Sequence, residues 1–293
     1  MATPESLSRQ IQVGNELLSV VSTMKGLAAV AIREFEEAVD ALREYTTNIE
    51  LGLQILFSCN PESIPRLRPA EGKVAAIVVG TDQGLCGPIN LEIAREARHW
   101  FESHRVSSDE RMVVSLGART SRELDRVGLP PDKEIQLASS VDAIGPLVED
   151  MIVEIDRWRH SEAVGRVMVF FQHPLRRTQR TPRVHQVVPP DVQRFEAIAE
   201  RRWPTRMLPD TPHDWEELFA GLVSQDLFVA LYRSIAEAKA AEHGARLSAM
   251  LAAEENIEDR LDRLRNEYHQ LRQAQITEQL LDVVSGFEIL RDT

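Results

Sequence analysis

The sequence predicts a mixed α+β and α/β fold, in which long N- and C-terminal helices form an antiparallel two-helix coiled coil and a central domain is Rossmann-like α/β. Three observations predict this fold. Both terminal segments lack proline, both carry apolar residues at coiled-coil spacing, and the middle of the chain alternates short apolar runs with amphipathic stretches.

Proline marks the boundaries of the predicted segments. Of the 15 prolines in the 293 residues, one is Pro4 and the other 14 lie between Pro61 and Pro212. Because proline breaks the hydrogen-bond ladder of a helix interior, the two proline-free ends are the candidates for long helices. We therefore divide the chain into an N-terminal coiled-coil helix (1–60), an α/β domain (61–212) and a C-terminal coiled-coil helix (213–293).

The N-terminal segment follows the alternating spacing of three and four residues that is typical of a coiled-coil seam. Twelve of 15 consecutive seam positions are apolar, and Gly14, Lys25 and Thr46 are the exceptions. A charged residue at a seam position indicates either a partner contact or a pair with the other helix. The predicted seam positions are Leu7, Ile11, Gly14, Leu18, Val21, Lys25, Ala28, Ile32, Phe35, Val39, Leu42, Thr46, Ile49, Leu53 and Leu56.

The C-terminal segment repeats this spacing in three stretches. Antiparallel pairing with the first helix requires only that the central domain bring the two segments together. A helix break near Gly221 or Gly244 is left open, because glycine weakens a helix. The apolar positions are Leu227, Leu231, Ile235 and Ala238, then Ile257, Leu261, Leu264, Tyr268 and Leu271, then Leu280, Val283, Phe287 and Leu290.

The central segment is predicted to form a mostly parallel sheet, because strands alternate with helices along the chain. Short apolar runs predict strands over 74–79, 112–116, 167–171 and 184–188. Longer amphipathic stretches predict helices over 91–104, 121–127 and 141–159. The dipeptide Pro189-Pro190 closes the domain.

The net charge of −12 excludes a typical nucleic-acid-binding protein, which would present a basic face. The two ends carry all of the excess negative charge, since the central segment has 22 acidic and 22 basic residues. The N-terminus shows no secretory signal, and no apolar window without charge is long enough to predict a membrane span. Cys59 and Cys86 lack metal-binding spacing and are expected to be free thiols.

One glycine-rich turn, Gly80 to Gly87, follows the first predicted strand. It matches neither the dinucleotide-binding pattern nor the Walker A pattern, so we favour a structural turn over a ligand loop. Asp82, Gly84, Cys86 and Gly87 are the residues assigned to it. No histidine lies nearby to activate Cys86, which we interpret as a small packed hydrophobe.

No catalytic residue, cofactor site or metal site is predicted elsewhere. The eight histidines form no pair at a spacing of four residues, and a zinc site needs three or four convergent ligands. A basic loop contains Arg176, Arg177, Arg180 and Arg183; it is either a solvated loop or a surface for an acidic partner. These observations favour a structural or mechanical role over an enzyme.

Three stretches carry a resemblance to a known family. Ser22 to Ala29 (STMKGLAA) is similar to "AMKMVAA", and Thr81 to Asn90 (TDQGLCGPIN) is similar to "SDRGLCGGFN". The tail is the most specific: Ala230 to Met250 and Leu271 to Glu288 resemble "SLASEHAARMVAM" and "ARQAAITQEILEIVSGAE". In order along nearly the whole chain, these motifs resemble the gamma subunit of F-type ATP synthases.

The resemblance implies a rotor shaft that is not an enzyme on its own. Its partners would be a ring of three alpha and three beta subunits, an epsilon-type subunit and the membrane c-ring, at the cytoplasmic face of a bacterial plasma membrane, with no direct membrane span. By position, Arg246, Gln273, Thr277 and Glu278 resemble residues that contact the alpha/beta ring. Met24 and Lys25 resemble residues near the coupling region.

The chain also departs from the family pattern. The usual "IRERIKSVKNTQKIT" opening is replaced by LSRQIQVGNELLSVVSTMK, Pro88 stands where a second glycine is common, and Met207-Leu208-Pro209 replaces Tyr-Glu-Pro. The opening resembles the alternate, N-type F-ATPases. Two other hypotheses stay open from the sequence: a free-standing coiled-coil adaptor that forms homodimers, and a small-molecule enzyme that uses the Gly84–Gly87 turn.

Overall fold

The computed structural model describes residues 3–59, 71–176, 178–205, 207 and 215–291, with side chains described as far as residue 281. The Leu208-Pro209 part of the sequence motif therefore lies outside the described residues. The elements, in chain order, are α1 (Pro4–Cys59), β1 (Lys73–Val79), α2 (Ile89–Ser103), β2 (Arg111–Leu116), α3 (Ala118–Arg126), β3 (Lys133–Ile135), α4 (Ile144–Ser161), β4 (Val164–Pro174), β5 (Arg180–Val188), α5 (Val192–Ala199) and α6 (Trp215–Arg291).

The chain divides into two compact units. The sheet unit comprises Ala28–Arg246, and the coiled-coil unit comprises Met1–Leu27 and Leu247–Thr293. Helices α1 and α6 contribute to both units. A helix break near Gly221 or Gly244 was left undecided from the sequence; α6 is continuous through both glycines.

The sheet unit contains one five-stranded sheet in the order β3-β2-β1-β4-β5. The first four strands in this order are parallel, and β5 pairs antiparallel with β4. Central strand β1 places Ile77 beside Val114 of β2 and Val169 of β4. Helices α2, α3 and α4 provide the long connections that parallel strands need, whereas β4 and β5 form a hairpin.

Side-chain alternation along β1 directs residues to two different cores. Val74, Ala76 and Val78 pack against α2, where Ile93 and Phe101 are buried. Ala75, Ile77 and Val79 face the opposite side, in a core that also includes residues of α1, α4 and α6. Both faces of β1 are covered, which explains why its sequence is a continuous apolar run.

Within the sheet unit, α1 and α6 run antiparallel. The Phe35 ring stacks on His243 with 5.7 Å between ring centroids. Further along α1, a Cβ added to Gly52 would lie 3.1 Å from Leu222. As the residue number rises on α1 it falls on α6, which confirms the predicted direction of pairing in this unit.

Within the coiled-coil unit, the same two helices also run antiparallel. A Cβ added to Gly14 would lie 2.6 Å from Cδ2 of Leu261, and Lys25 Nζ donates a hydrogen bond to Glu254 at 2.7 Å.

Along the whole of α1, all 15 predicted seam positions are buried or half-buried, while most residues between them are exposed. The predicted pair of terminal helices is confirmed.

All seven elements predicted in the central segment exist, with boundaries that differ by a few residues. Strand β3 and helix α5 were not predicted from the sequence. Strand β3 has only three residues, two of them charged, so it has no apolar run to detect. Helix α5 has eight residues and begins after Asp191, whose carboxylate accepts a hydrogen bond from the backbone N–H of Gln193.

Helix α1 and the segment Trp215–Leu281 of α6 each contain an 18-residue window with a mean hydropathy of 1.2, enough by length and composition to cross a membrane. A helix whose apolar side is covered by protein satisfies the same criterion. Of these two windows, 17% and 28% is buried within the chain, and length and composition alone do not establish a membrane span.

Candidate functional site

The glycine-rich turn after β1 is held by a network of buried polar side chains. Asn90 donates a hydrogen bond to Thr81 Oγ1 at 2.8 Å, and Thr120 Oγ1 donates to Asn90 Oδ1 at 3.0 Å. Thr120 Oγ1 also accepts from the backbone N–H of Thr81. A Cβ on Gly80 would lie only 1.7 Å from Thr120 Oγ1, so only glycine fits at that position.

Asp82 connects this turn to two other segments. Its carboxylate accepts one hydrogen bond from the backbone N–H of Ala118 at 2.9 Å and another from that of Leu137 at 3.0 Å. Ala118 is the first residue of α3, where a carboxylate satisfies an N–H that has no partner inside the helix. Both carboxylate oxygens of Asp82 therefore accept hydrogen bonds within the chain.

Cys86 points inward from the turn. Its side chain is buried with Ile89, Ala241 and Ala245, so it packs the turn against α6 within the sheet unit. Burial raises the pKa of the Cys86 thiol, which disfavours the nucleophilic thiolate. Gly87 has a φ of 63°, a backbone conformation that suits glycine. Gly84 leaves room beside Arg119, whose guanidinium would lie 3.5 Å from an added Cβ.

These contacts support the structural interpretation of Asp82, Gly84, Cys86 and Gly87, which remains a prediction. Among the described residues, no group of three or more histidine, cysteine, aspartate or glutamate side chains could hold a metal ion.

Lys25 lies at the predicted seam and pairs with the other helix, one of the two explanations that its position allowed. Its ammonium contacts both carboxylate oxygens of Glu254, and the two side chains are 29% and 23% exposed. The neighbouring Met24 is half-buried. About 28 Å of α6 separates Glu254 from Gln273, so Lys25 and Gln273 belong to different stretches of the coiled-coil unit.

Gln273, Thr277 and Glu278 lie in an exposed part of α6. Every described side chain from residue 272 to residue 281 is exposed. Thr277 Oγ1 donates a hydrogen bond to the carbonyl of Gln273, one turn earlier in the helix. The predicted apolar positions Val283, Phe287 and Leu290 lie outside the described side chains. Ile276 and Leu280 are exposed in the same stretch, which therefore presents polar and apolar side chains together.

Arg246 is buried, unlike the three residues of the exposed stretch. Its guanidinium donates to Glu242 Oε1 at 2.6 Å and to His243 Nδ1 at 3.0 Å. Lys239 binds the other carboxylate oxygen of Glu242 at 2.7 Å. Together these four residues of α6 form a cluster, which we call the buried ionic cluster: Lys239, Glu242, His243 and Arg246.

The protonation states of the buried ionic cluster follow from its contacts. The pKa of His243 is lowered to about 4, chiefly by burial; the charge of Glu242 opposes this shift, and the charges of Lys239 and Arg246 add to it. The ring is therefore neutral at pH 7, with Nδ1 free to accept from Arg246. For Glu242, burial alone would raise the pKa of the carboxyl, but Lys239 and Arg246 outweigh burial and lower it. Glu242 is charged.

Lys239 and Glu242 were not predicted as site residues from the sequence. Their spacing of three residues is a signal for a helix-surface ion pair, and nothing in that spacing indicates burial. Of the predicted basic loop, Arg180 pairs with Glu92 at 2.9 Å, whereas Arg176 and Arg183 are exposed. Arg177 lies outside the described residues.

Comparison with known proteins identifies relatives along the whole chain. The sequence profile of the family described as "ATP synthase" matches residues 3–290. The chain is 25% identical over 296 residues to the ATP synthase gamma chain of Cupriavidus pinatubonensis, covering 98% of this chain and 99% of that one. It is 28% identical over 306 residues to the ATP synthase gamma chain of Granulibacter bethesdensis, covering 99% and 100%.

Solved structures share the fold. A chain in the cryo-EM structure of Euglena gracilis mitochondrial ATP synthase (OSCP/F1/c-ring, rotational state 3) matches with a TM-score of 0.62 at 13% identity, covering 98% of this chain and 94% of that one. A chain in the Tetrahymena thermophila mitochondrial ATP synthase central stalk/c-ring structure matches with a TM-score of 0.56 at 16% identity, covering 80% and 99%.

Proposed function

This chain belongs to the ATP synthase family, and we propose that it is the central rotor shaft, the gamma subunit, of a rotary F-type ATP synthase. In this proposal it couples ion flow through a membrane c-ring to conformational changes in the catalytic beta subunits. Its partners are a ring of three alpha and three beta subunits, an epsilon-type subunit and the c-ring. It sits peripherally at the cytoplasmic face of a bacterial plasma membrane.

One observation carries the proposal. The two terminal helices pair antiparallel through a buried seam, and α6 then presents a stretch, residues 272–281, in which every side chain is exposed. Ile276, Leu280 and Leu281 are apolar and are 48%, 61% and 62% exposed. A helical stretch with exposed apolar residues, uncovered by the described part of its own chain, is suited to a partner that surrounds it.

Within this stretch, we propose Gln273, Thr277 and Glu278 as contacts to the alpha/beta ring, together with Met24 in the coiled-coil unit. Lys25, the neighbour of Met24, holds this part of α1 to α6 through its ion pair with Glu254. Arg246 is left out of the contact set, because its guanidinium is 7% exposed and bonded to Glu242 within the chain. Its proposed role is to position α6 inside the sheet unit.

The mechanism follows from the asymmetry of a shaft made of two unlike helices. A ring of three identical catalytic subunits meets a different side of the shaft at each position. A contact that differs between two conformations of a subunit shifts the equilibrium between them. Rotation of the shaft therefore moves each beta subunit through different conformations in turn, and ATP hydrolysis drives the same cycle in reverse.

The proposal is tested by reconstitution with alpha, beta, epsilon-type and membrane subunits. We expect the full-length chain to assemble with them and to support ATP-driven ion pumping in vesicles. The double variant Gln273→Ala/Thr277→Ala should assemble but lose most of the pumping. Glu258→Ala, a change on an exposed face of the same helix, is the matched control and should pump normally.

Two results would contradict the proposal. A chain that forms a stable homodimer and binds neither alpha nor beta subunits is an adaptor instead. If the chain assembles but the double variant pumps as well as the control, the contact residues are wrong although the rotor function stands.

A further inference from the structure

A cavity of about 500 Å³ lies within the sheet unit, between α1, the β4–β5 hairpin, α5 and α6. Its volume falls in the range of small-molecule sites, roughly 300–1,000 Å³. Phe171, Asp226, Val229 and Glu237 line the cavity and are buried, so it reaches into the sheet unit. The rotor function proposed above gives this cavity no role.

Two of the acids that line the cavity are fully paired. Glu50 accepts a hydrogen bond at each carboxylate oxygen, from Arg194 at 3.2 Å and from Arg201 at 2.6 Å. Asp226 accepts at both of its oxygens from Arg194, at 2.9 and 3.1 Å. Arg194 is thus shared between two carboxylates of this chain, and neither carboxylate is left to attract a cation.

The third acid is also paired, but donors remain beside it. Glu237 Oε1 accepts from Arg233 Nε at 3.0 Å, and Glu237 Oε2 lies 2.6 Å from His173 Nδ1. The two terminal nitrogens of Arg233 have no hydrogen-bond partner among the described residues. Arg183 also lines the cavity and forms neither an ion pair nor a side-chain hydrogen bond with any described residue. The cavity therefore offers N–H donors and a positive charge that no described carboxylate satisfies.

The fold brings these two arginines to different walls of the same cavity. Arg183 of β5 lies opposite Phe171 of β4 in the antiparallel pair, and opposite residues extend to the same face of a sheet. On α6, Arg233 follows Asp226 and Val229 at helical spacing, which places all three on one face. One guanidinium therefore comes from the sheet and the other from the helix.

This arrangement selects the class of ligand. Unpaired guanidinium groups bind anions, and their planar N–H forks fit carboxylate and phosphate oxygens. A carboxylate has two oxygens and one charge, which a single guanidinium satisfies. A phosphate group has more oxygens and a higher charge, so it can accept from two guanidinium groups at once. A concave cavity also suits a small molecule better than a flat protein surface.

We propose that this cavity binds the phosphate group of a small molecule, held by Arg183 from β5 and by the terminal nitrogens of Arg233 from α6. The proposal is independent of the rotor function. Inorganic phosphate and a nucleoside diphosphate both carry the group, and the two are separated by the ligands used in the test.

The test is calorimetric titration of the full chain with inorganic phosphate and with ADP, at constant ionic strength. Arg183→Gln should weaken the affinity about ten- to hundredfold, because charge-assisted hydrogen bonds are lost. Its melting temperature without ligand should not change, since Arg183 is exposed and unpaired in the described chain. Arg122→Gln makes the same change of charge at an exposed position outside the cavity and should bind normally.

Arg233→Lys tests the second wall. Lysine keeps the charge and can still pair with Glu237, but it has one nitrogen where arginine has three. We expect weaker phosphate binding with little change in the melting temperature of the ligand-free chain. Tighter binding of ADP than of inorganic phosphate, with both weakened by Arg183→Gln, identifies a nucleotide as the ligand; equal affinities identify phosphate alone.

Three outcomes would overturn the proposal. Neither ligand binds the full chain, or Arg183→Gln binds as tightly as the unchanged chain, or Arg122→Gln loses as much affinity as Arg183→Gln. The last result would mean that phosphate responds to the general charge of the surface. The rotor function stands in all three cases, because pumping by the assembled complex tests it separately.

Discussion

Two stretches of α6 have opposite environments. Between Ser234 and Leu247, every residue except the half-buried His243 is buried, including Glu237, Lys239 and Glu242. Between residues 272 and 281 every described side chain is exposed, including Ile276 and Leu280. Burial along this helix therefore does not follow hydrophobicity. Charged residues are buried where the sheet unit surrounds them, and apolar residues are exposed where the described residues supply no cover.

The difference in burial between the two stretches has an energetic consequence. A charge in the buried stretch is stable only while its partners remain, because removing one partner leaves another charge without water or a counter-ion. A residue in the exposed stretch contributes little to the stability of the isolated chain, whatever its polarity. Stability measurements on the isolated chain can therefore separate residues that hold the fold from residues that await a partner.

The largest effect is expected in the buried ionic cluster. Glu242→Ala removes the carboxylate that binds both Lys239 and Arg246, and leaves two buried cations without a counter-ion. We expect a loss of about 3–5 kcal/mol in the free energy of unfolding, measured by urea denaturation. Glu258→Ala, in an exposed part of the same helix, should change it by less than about 0.5 kcal/mol. A small effect of Glu242→Ala would mean that water reaches the cluster.

A pH dependence of stability is expected from His243. Its pKa in the folded chain is about 4, below the ordinary value of 6.5. Between these values the unfolded chain binds a proton that the folded chain does not, so stability decreases as the pH falls from 6.5 towards 4. The slope is at most about 1.4 kcal/mol per pH unit, reduced because the ring is partly in contact with solvent. Urea denaturation between pH 7 and pH 4 measures it.

The matched variant is His243→Gln, which keeps an acceptor for Arg246 and removes the titration. Its absolute stability will differ, but its dependence on pH in this window should be flatter than that of the unchanged chain. Equal slopes in the two chains would show that His243 does not account for the pH dependence.

The coiled-coil seam could be predicted from the sequence because helical periodicity is a local property. Lys25 was placed on the seam by spacing alone, and Glu254 was found opposite it. The buried ionic cluster could not be predicted in the same way. The pattern from Lys239 to Arg246 is that of a solvated helix face, and its burial depends on α1 and on the turn near Cys86, both distant in sequence.

The glycine-rich turn shows a second limit. Its glycines Gly84 and Gly87 would be expected to take the left-handed conformation, since glycine does so at least cost. Gly87 does, with a φ of 63°, but the other left-handed residue of the turn is Leu85 and not Gly84. The packing of Cys86 and the bonds of Thr81 decide the conformation, and no local pattern records them. The strained position was therefore invisible from the sequence.

A smaller effect is expected at two glycines of α1 in the coiled-coil unit. Gly14→Ala places a methyl group against Leu261, where overpacking of about 1–3 kcal/mol outweighs a helix-propensity gain of about 1 kcal/mol. Gly26 has nothing within 4 Å of an added Cβ, so Gly26→Ala should stabilise by about 1 kcal/mol. Opposite signs in thermal unfolding confirm close packing at the seam; two stabilising changes would contradict it.

The smallest effect on the isolated chain is expected in the exposed stretch. Ile276→Gln and Leu280→Gln replace exposed apolar side chains with a residue of similar helix propensity, so each should change the free energy of unfolding by less than about 0.5 kcal/mol. The same substitution at Leu231, which is fully buried in the same helix, should cost several times more because it buries an amide. If the exposed stretch contacts the alpha/beta ring, Ile276→Gln and Leu280→Gln weaken binding to the ring and leave the free energy of unfolding unchanged. Destabilisation by more than about 1 kcal/mol would mean that this chain covers the stretch itself, and the contrast between the two parts of α6 would fail.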